Sequence, residues 1–203
     1  MKQSILISAI ALSCIFNLSA QSDKEMKTTD LPYYEIPDYP AEFTAETTAA
    51  RMIDGLGFRY YWATEGLTEK DLEYRPSDMA RSAGETIEHI LGLTNMVVNA
   101  TKKITNGGPK DKQELTFADK RKRTLENLKQ ASDILKSASS DGLEDYTIIF
   151  QKGESKSEMP FWNIINGPLS DALWHTGQLV SFRRASGNPY NSKASVFTGK
   201  VKE

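Results

Sequence analysis

The chain has 203 residues, 39% of them hydrophobic and 26% charged, which fits one ordinary globular domain and excludes a disordered chain, a fibrous repeat or a multi-span membrane protein. Lys and Arg total 25 against 27 Asp and Glu, for a formal net charge of −2. That balance excludes the strongly basic surface of a nucleic-acid binder.

The N-terminus has one positive residue in MKQ, an apolar run from Ile5 to Phe16, and the small residues Ser19 and Ala20 before Gln21. This pattern predicts a signal peptide over residues 1–20, with export to the periplasm or beyond the cell and no permanent membrane span. Cys14 is the only cysteine and lies inside the apolar run. Ala11-Leu12-Ser13 makes a poor lipidation site, and lipidation would leave Ile15 and Phe16 in the mature chain, so Cys14 is expected to leave with the leader. The mature protein then lacks disulfides, cysteine nucleophiles and thiolate metal sites.

Residues 21–42 carry Pro32, Pro37 and Pro40 among Tyr33, Tyr34 and Tyr39, which disfavours helix and predicts an extended arm against the body. A bundle domain is expected over 43–187. From about Ala41 to Glu65, the residues Met52, Ile53, Leu56, Tyr60 and Ala63 form one helical stripe. A connector around Pro76 follows, with Ser77 or Ser82 offering a cap. The second helix is predicted from Ala83 to Ile104, with Ile87, Ile90, Leu91, Thr94, Val97 and Val98 on one face and Asn106-Gly107-Gly108 as its stop.

A third amphipathic helix starts near Phe117 and carries Leu125, Leu128, Ala131, Leu135 and Ala138. Tyr146 to Phe150 is a short β-prone run that leads at most to a small hairpin. The fourth helix, within FWNIINGPLSDALWHTGQLVSFRRASG, either starts at Pro168 or kinks there, and it ends at Gly187. Residues 188–203 form a tail, expected as an extended strap. Four long amphipathic helices predict an all-α four-helix bundle.

Only two histidines occur, His89 in the second helix and His175 in the fourth. Asp171 lies four residues before His175, so the two share one helix face with Cβ atoms about 5–6 Å apart. If the two helices face each other, His89, Asp171 and His175 place two imidazoles and a carboxylate around one divalent cation of the Zn, Ni, Mn or Fe kind. Such a triad leaves coordination positions open, which suits acidifying a water or polarising a substrate oxygen. The alternative is an ordinary i, i+4 hydrogen-bonded pair with no metal.

The segments SAGETIEHILGL and LSDALWHTGQLVSFRRASGNP, with the connector GLTEKDLEYRP, resemble the DinB-like (damage-inducible) four-helix-bundle superfamily over nearly the whole mature chain. The resemblance implies a DinB-like bundle holding a divalent metal through one histidine on the second helix and an HxxxH pair on the last, followed by Gly-Gln. His89 matches the first ligand and His175 the last. Asp171 departs, because the family has histidine there, so the three-histidine set becomes His-Asp-His. The resemblance also implies a homodimer, and an activity among thiol-dependent transferases and metal-dependent hydrolases. Export disfavours the thiol-dependent branch, since low-molecular-weight thiols are mainly cytosolic.

Gln178 shares the face of Asp171 and His175 and is a candidate to orient a ligand, or else a helix-packing residue. Glu85, one turn before His89, is a candidate ligand or general base, or else a first-turn glutamate favouring the helix dipole. Tyr60, Tyr61, Trp62, Phe161, Trp162 and Trp174 are expected mainly in the core. Arg183 and Arg184 are given no role beyond complementing a helix C-terminus. The run Asp119 to Arg123, with Lys102 and Lys103, is expected to be a solvated face rather than a nucleic-acid site. Gly55-Leu56-Gly57 is no dinucleotide fingerprint, and no phosphate loop, HExxH or nucleophile elbow occurs. The expected protein is an exported, metal-dependent hydrolase or transferase acting on a small molecule; the alternative is a non-catalytic metal- or ligand-binding protein with a degenerate site.

Overall fold

A computed structural model describes residues 31–107, 114–138 and 142–203. The predicted leader, Cys14 and the first part of the arm lie outside the described residues.

Residues 31–44 hold no helix or strand. Helix α1 (Ala45–Thr64) starts later than the stripe alone predicts because Thr44 and Thr47 form a reciprocal cap: Thr47 N donates to Thr44 Oγ1 at 3.2 Å and Thr44 N to Thr47 Oγ1 at 2.9 Å. Ile53, Leu56, Tyr60 and Ala63 are buried as predicted, whereas Met52 is 45% exposed on the outer face. Tyr33 anchors the arm. Its ring lies where a side chain on Gly57 would be, 2.4 Å from an added Cβ, and its hydroxyl donates to the buried Asp54 at 3.0 Å. Lys136 lies 2.6 Å from the other Asp54 oxygen, so the carboxylate is paired as a buried charge must be.

The connector contains a short helix, α2 (Glu69–Glu73). Helix α3 (Ala83–Thr101) begins with a Ser82–Glu85 capping box, and its predicted apolar face is buried. It stops before the expected Asn-Gly-Gly. Lys103 adopts a left-handed φ of 57° and turns the chain into strand β1 (Thr105–Asn106). Helix α4 (Phe117–Ser137) is capped by Thr116 and Asp119 and buries Leu125, Leu128, Ala131 and Leu135.

The hairpin forms from β2 (Ile148–Lys152) and β3 (Ser155–Met159), with β1 added in parallel beside β2. A single turn, α5 (Trp162–Ile164), leads into a wide π-type turn over Ile165–Leu169 and then α6 (Ser170–Ser186). The last segment is thus broken: Gly167 leaves helical geometry (φ −98°, ψ −107°) and Pro168 has no N–H to give. Ser170 Oγ donates to Ile165 O at 2.6 Å, supplying a donor to that turn. The tail is more ordered than an extended strap, because β4 (Ala194–Ser195) and β5 (Lys200–Val201) form a small hairpin.

Helices α4 and α6 each pack against both α1 and α3, which places α1 and α3 on one diagonal of a four-helix bundle. Two arginines depart from their expected surface roles. Arg121 is 6% exposed, and its guanidinium stacks on Tyr61 and donates to Tyr61 O, Thr64 Oγ1 and Glu65. Arg183 is 5% exposed and donates to the carbonyls of Trp62, Ala63 and Glu65. Together they donate to the Tyr61, Trp62 and Ala63 carbonyls in the last turn of α1, where the helix has run out of backbone donors. Burial outweighs helix-dipole arguments because the stems fill the bundle while the planar heads find several acceptors. Among the aromatics, Tyr60, Tyr61, Trp62 and Phe161 are core, but Trp162 and Trp174 are 73% and 72% exposed and overturn the core expectation. Trp174 lies on the side of α6 opposite the buried Ala172, Thr176, Leu179 and Arg183.

Candidate metal centre

Helices α3 and α6 pack side by side, and each turns one chemically distinct edge toward the other. On α6 the core face is carried by Ala172, Thr176 and Leu179, and the i, i+4 pair Asp171 and His175 sits just beside it. On α3, His89 borders the buried Ile87 and Ile90 but points off their stripe toward α6. The result is a junction of three half-buried side chains at the rim of the core.

Asp171 Oδ2 lies 3.2 Å from His89 Nε2, and Asp171 Oδ1 lies 3.2 Å from His175 Nε2. The two imidazole rings meet edge to face, with centroids 4.7 Å apart and planes at 86°. One ligand atom from each residue falls within 4.8 Å of the others, so the group can hold a metal ion. Two atoms bound to one Zn²⁺ at about 2.1 Å stand roughly 3.4 Å apart in a tetrahedron, close to the two Asp–His separations. Two imidazoles and one carboxylate are a donor set that suits first-row divalent metals. The side chains are 14% exposed at His175, 32% at His89 and 39% at Asp171, so the junction opens to solvent on the Asp171 side.

Gln178 completes the same edge of α6, and its Oε1 lies 2.7 Å from His175 Nδ1. Glu85 is used differently. Its carboxylate accepts from Ser82 N at 2.6 Å and lies 3.4 Å from Arg75. The backbone bond from Ser82, with Arg75 nearby, holds the Glu85 carboxyl below the usual range, which makes it a weak proton acceptor. Arg184 is exposed and lies on the outer face of α6.

A groove of ≈ 1020 Å³ runs along the outer face of α3, bounded by α4 and β1. Of the three candidate ligands, His89 alone lines it. The groove wall also carries Glu88 and Lys120, paired at 2.8 Å, and Arg123. The sequence offered these basic residues only as a solvated face, because nothing in a mixed charge run tells which members border a neighbouring helix.

No protein-family model matches the chain, and no curated protein does. The bundle, with its paired histidine-bearing helices, is DinB-like in fold. Among solved structures, it is similar to a DinB-like protein (YjoA) from Bacillus subtilis, with a TM-score of 0.50 and 18% identity, covering 68% of this chain and 92% of that one. At that identity the likeness is one of fold.

Proposed function

We propose that this chain is an exported protein that binds one divalent metal ion through His89, Asp171 and His175 and acts on a small molecule as a hydrolase or transferase. The observation that carries the reading is the convergence of three ligand atoms from two facing helices within 4.8 Å. A bound divalent ion supplies Lewis acidity to a substrate oxygen in such a site. The chain's own residues do the rest. The two helices fix the imidazoles, Asp171 supplies the negative charge, and the groove beside His89 gives a substrate a place next to the centre. The signal-like N-terminus supports export, and the homodimer implied by the family resemblance belongs to the same reading.

A second reading, a non-catalytic metal-binding protein, is favoured by Glu85. The carboxylate one turn before His89 is occupied by a helix cap, which leaves it unsuited to act as a general base. Metal analysis of protein purified without chelator tests both readings, since both require stoichiometric metal that His175→Ala loses. Screening the loaded protein against ester, amide and thiol-acceptor panels then separates them, with turnover expected only for the enzyme. Light scattering on the same sample tests the homodimer.

A further inference from the structure

Gln178 is not a ligand, yet its bond to His175 constrains which nitrogen of that ring carries the proton. The atom facing His175 Nδ1 at 2.7 Å is the amide oxygen, which only accepts. With the amide in this orientation, Nδ1 donates. In a neutral imidazole the hydrogen then sits on Nδ1, and Nε2 presents its lone pair. That lone pair faces Asp171 Oδ1, itself an acceptor, at 3.2 Å. Two acceptors at this distance are held apart by repulsion unless a cation stands between or beside them. His89 is different. Its Nε2 faces Asp171 Oδ2 at 3.2 Å, and no amide in the described residues dictates its tautomer, so its Nε2–H is free to donate to the carboxylate.

We infer that Gln178 is a positioning residue that commits His175 to the tautomer with Nε2 free, so that the edge between His175 Nε2 and Asp171 Oδ1 is preset to receive a cation, while His89 must give up an Nε2 proton to join it. The inference deepens the metal-binding reading, and only its consequence for affinity rests on that reading. The tautomer itself is a property of the metal-free chain. Outer partners of ligating histidines commonly act this way, fixing ring orientation and raising ligand basicity, and their loss costs about 10–100-fold in metal affinity. The geometry of α6 makes Gln178 suited to the task. It stands three residues after His175 on the same edge, so its amide reaches the far nitrogen of the ring without crossing the ligand face.

The test uses the full mature chain, ¹⁵N-labelled and freed of metal with chelator, at about pH 8.5, well above the reference imidazole value. Two-bond ¹H–¹⁵N correlations report the histidine tautomers directly. His175 is expected as the Nδ1–H form in the parent chain and in Gln178→Glu, which keeps an acceptor, and as a mixture or the Nε2–H form in Gln178→Met. Titration with Zn²⁺ alone is expected to show a loss of about 10–100-fold in Gln178→Met and none of that loss in Gln178→Glu. Circular dichroism checks that each variant is folded. An Nε2–H His175 in the parent chain, or a tautomer indifferent to Gln178→Met, overturns the inference whether or not metal binds. Equal affinity losses in both variants also overturn it, because a packing role does not distinguish Glu from Met. A tautomer that behaves as expected in a chain that binds no Zn²⁺ upholds the positioning role and sinks the metal reading instead.

Discussion

The rings of His89 and His175 meet edge to face, 4.7 Å between centroids, and Asp171 places one carboxylate oxygen against each. Asp171 thus carries the negative charge of the junction and touches both candidate nitrogen ligands. Replacing it with asparagine keeps the shape and removes the charge. Asp171→Asn is expected to lower divalent-metal affinity by on the order of 100-fold, at or beyond the upper end of outer-partner effects. Asp171→His is expected to retain binding with a shifted metal preference, since imidazole replaces carboxylate. Competition titration against a chromophoric chelator measures both, and parent-like affinity in Asp171→Asn would refute the assignment of Asp171 as a ligand.

Arg183 is a stability determinant well away from the histidines. Its removal leaves the carbonyls of Trp62, Ala63 and Glu65 without this donor at the end of a buried helix. Arg183→Ala is expected to destabilise the fold by about 3 kcal/mol, the scale of losing charged hydrogen bonds and leaving buried acceptors unmatched. Arg183→Lys recovers only part of this, because one ammonium cannot reproduce the fork. Urea unfolding gives the comparison, and a loss below about 0.5 kcal/mol in the alanine variant, the scale of an ordinary surface substitution, contradicts the role.

Acid sensitivity should trace in part to Asp71. Burial opposes its ionisation, but hydrogen bonds from Asn188, Ser186 and Thr68 outweigh that and hold its carboxyl far below the usual range. A carboxyl depressed in the folded state contributes stability that is fully present above its unfolded value of about 3.9 and is lost as pH falls from there through the folded value. Asp71→Asn should therefore be less stable than the parent at pH 7, with the gap narrowing below about pH 4. Thermal melts across that range check it, and a constant gap would show that ionisation plays no part.

The arm's anchor is a fit between Tyr33 and a missing side chain. A Cβ on Gly57 falls 2.4 Å from the Tyr33 ring, so Gly57→Ala must push the ring out. Overpacking of this kind costs about 1–3 kcal/mol, and the Tyr33–Asp54 hydrogen bond goes with it. Tyr33→Ala relieves the clash. In the double variant the alanine at position 57 should cost much less than it does alone, a coupling that a double-mutant cycle measures. Additive effects would mean that the ring and the glycine do not share this space.

The helices were legible in the sequence because their apolar stripes and caps are local. Ser82, Glu85, Thr116 and Asp119 all sit at cap spacings, and Leu125 to Leu135 repeat at three and four. The pairing of His89 with Asp171 and His175 was also legible, through their mid-helix placement and the family resemblance. What escaped was long-range. Arg121 and Arg183 looked like surface cations because nothing near them in sequence shows the carbonyls of α1 they reach. Trp174 looked like core because α6 has too weak an apolar stripe to set its face, and Trp162 because it adjoins the buried Phe161. The helix interruption after Ile164 was visible in Gly167-Pro168, but its resolution into a wide turn depended on how α6 docks.

The end of α1 also bears on the order in which the chain assembles. The carbonyls of Tyr61, Trp62 and Ala63 find partners in Arg121 of α4 and Arg183 of α6. During synthesis from the N-terminus, the last turn of α1 has neither partner available until much of the chain has emerged. A nascent chain lacking α6 is therefore expected to fray at the end of α1, with amide exchange there slowing only once Arg183 is present.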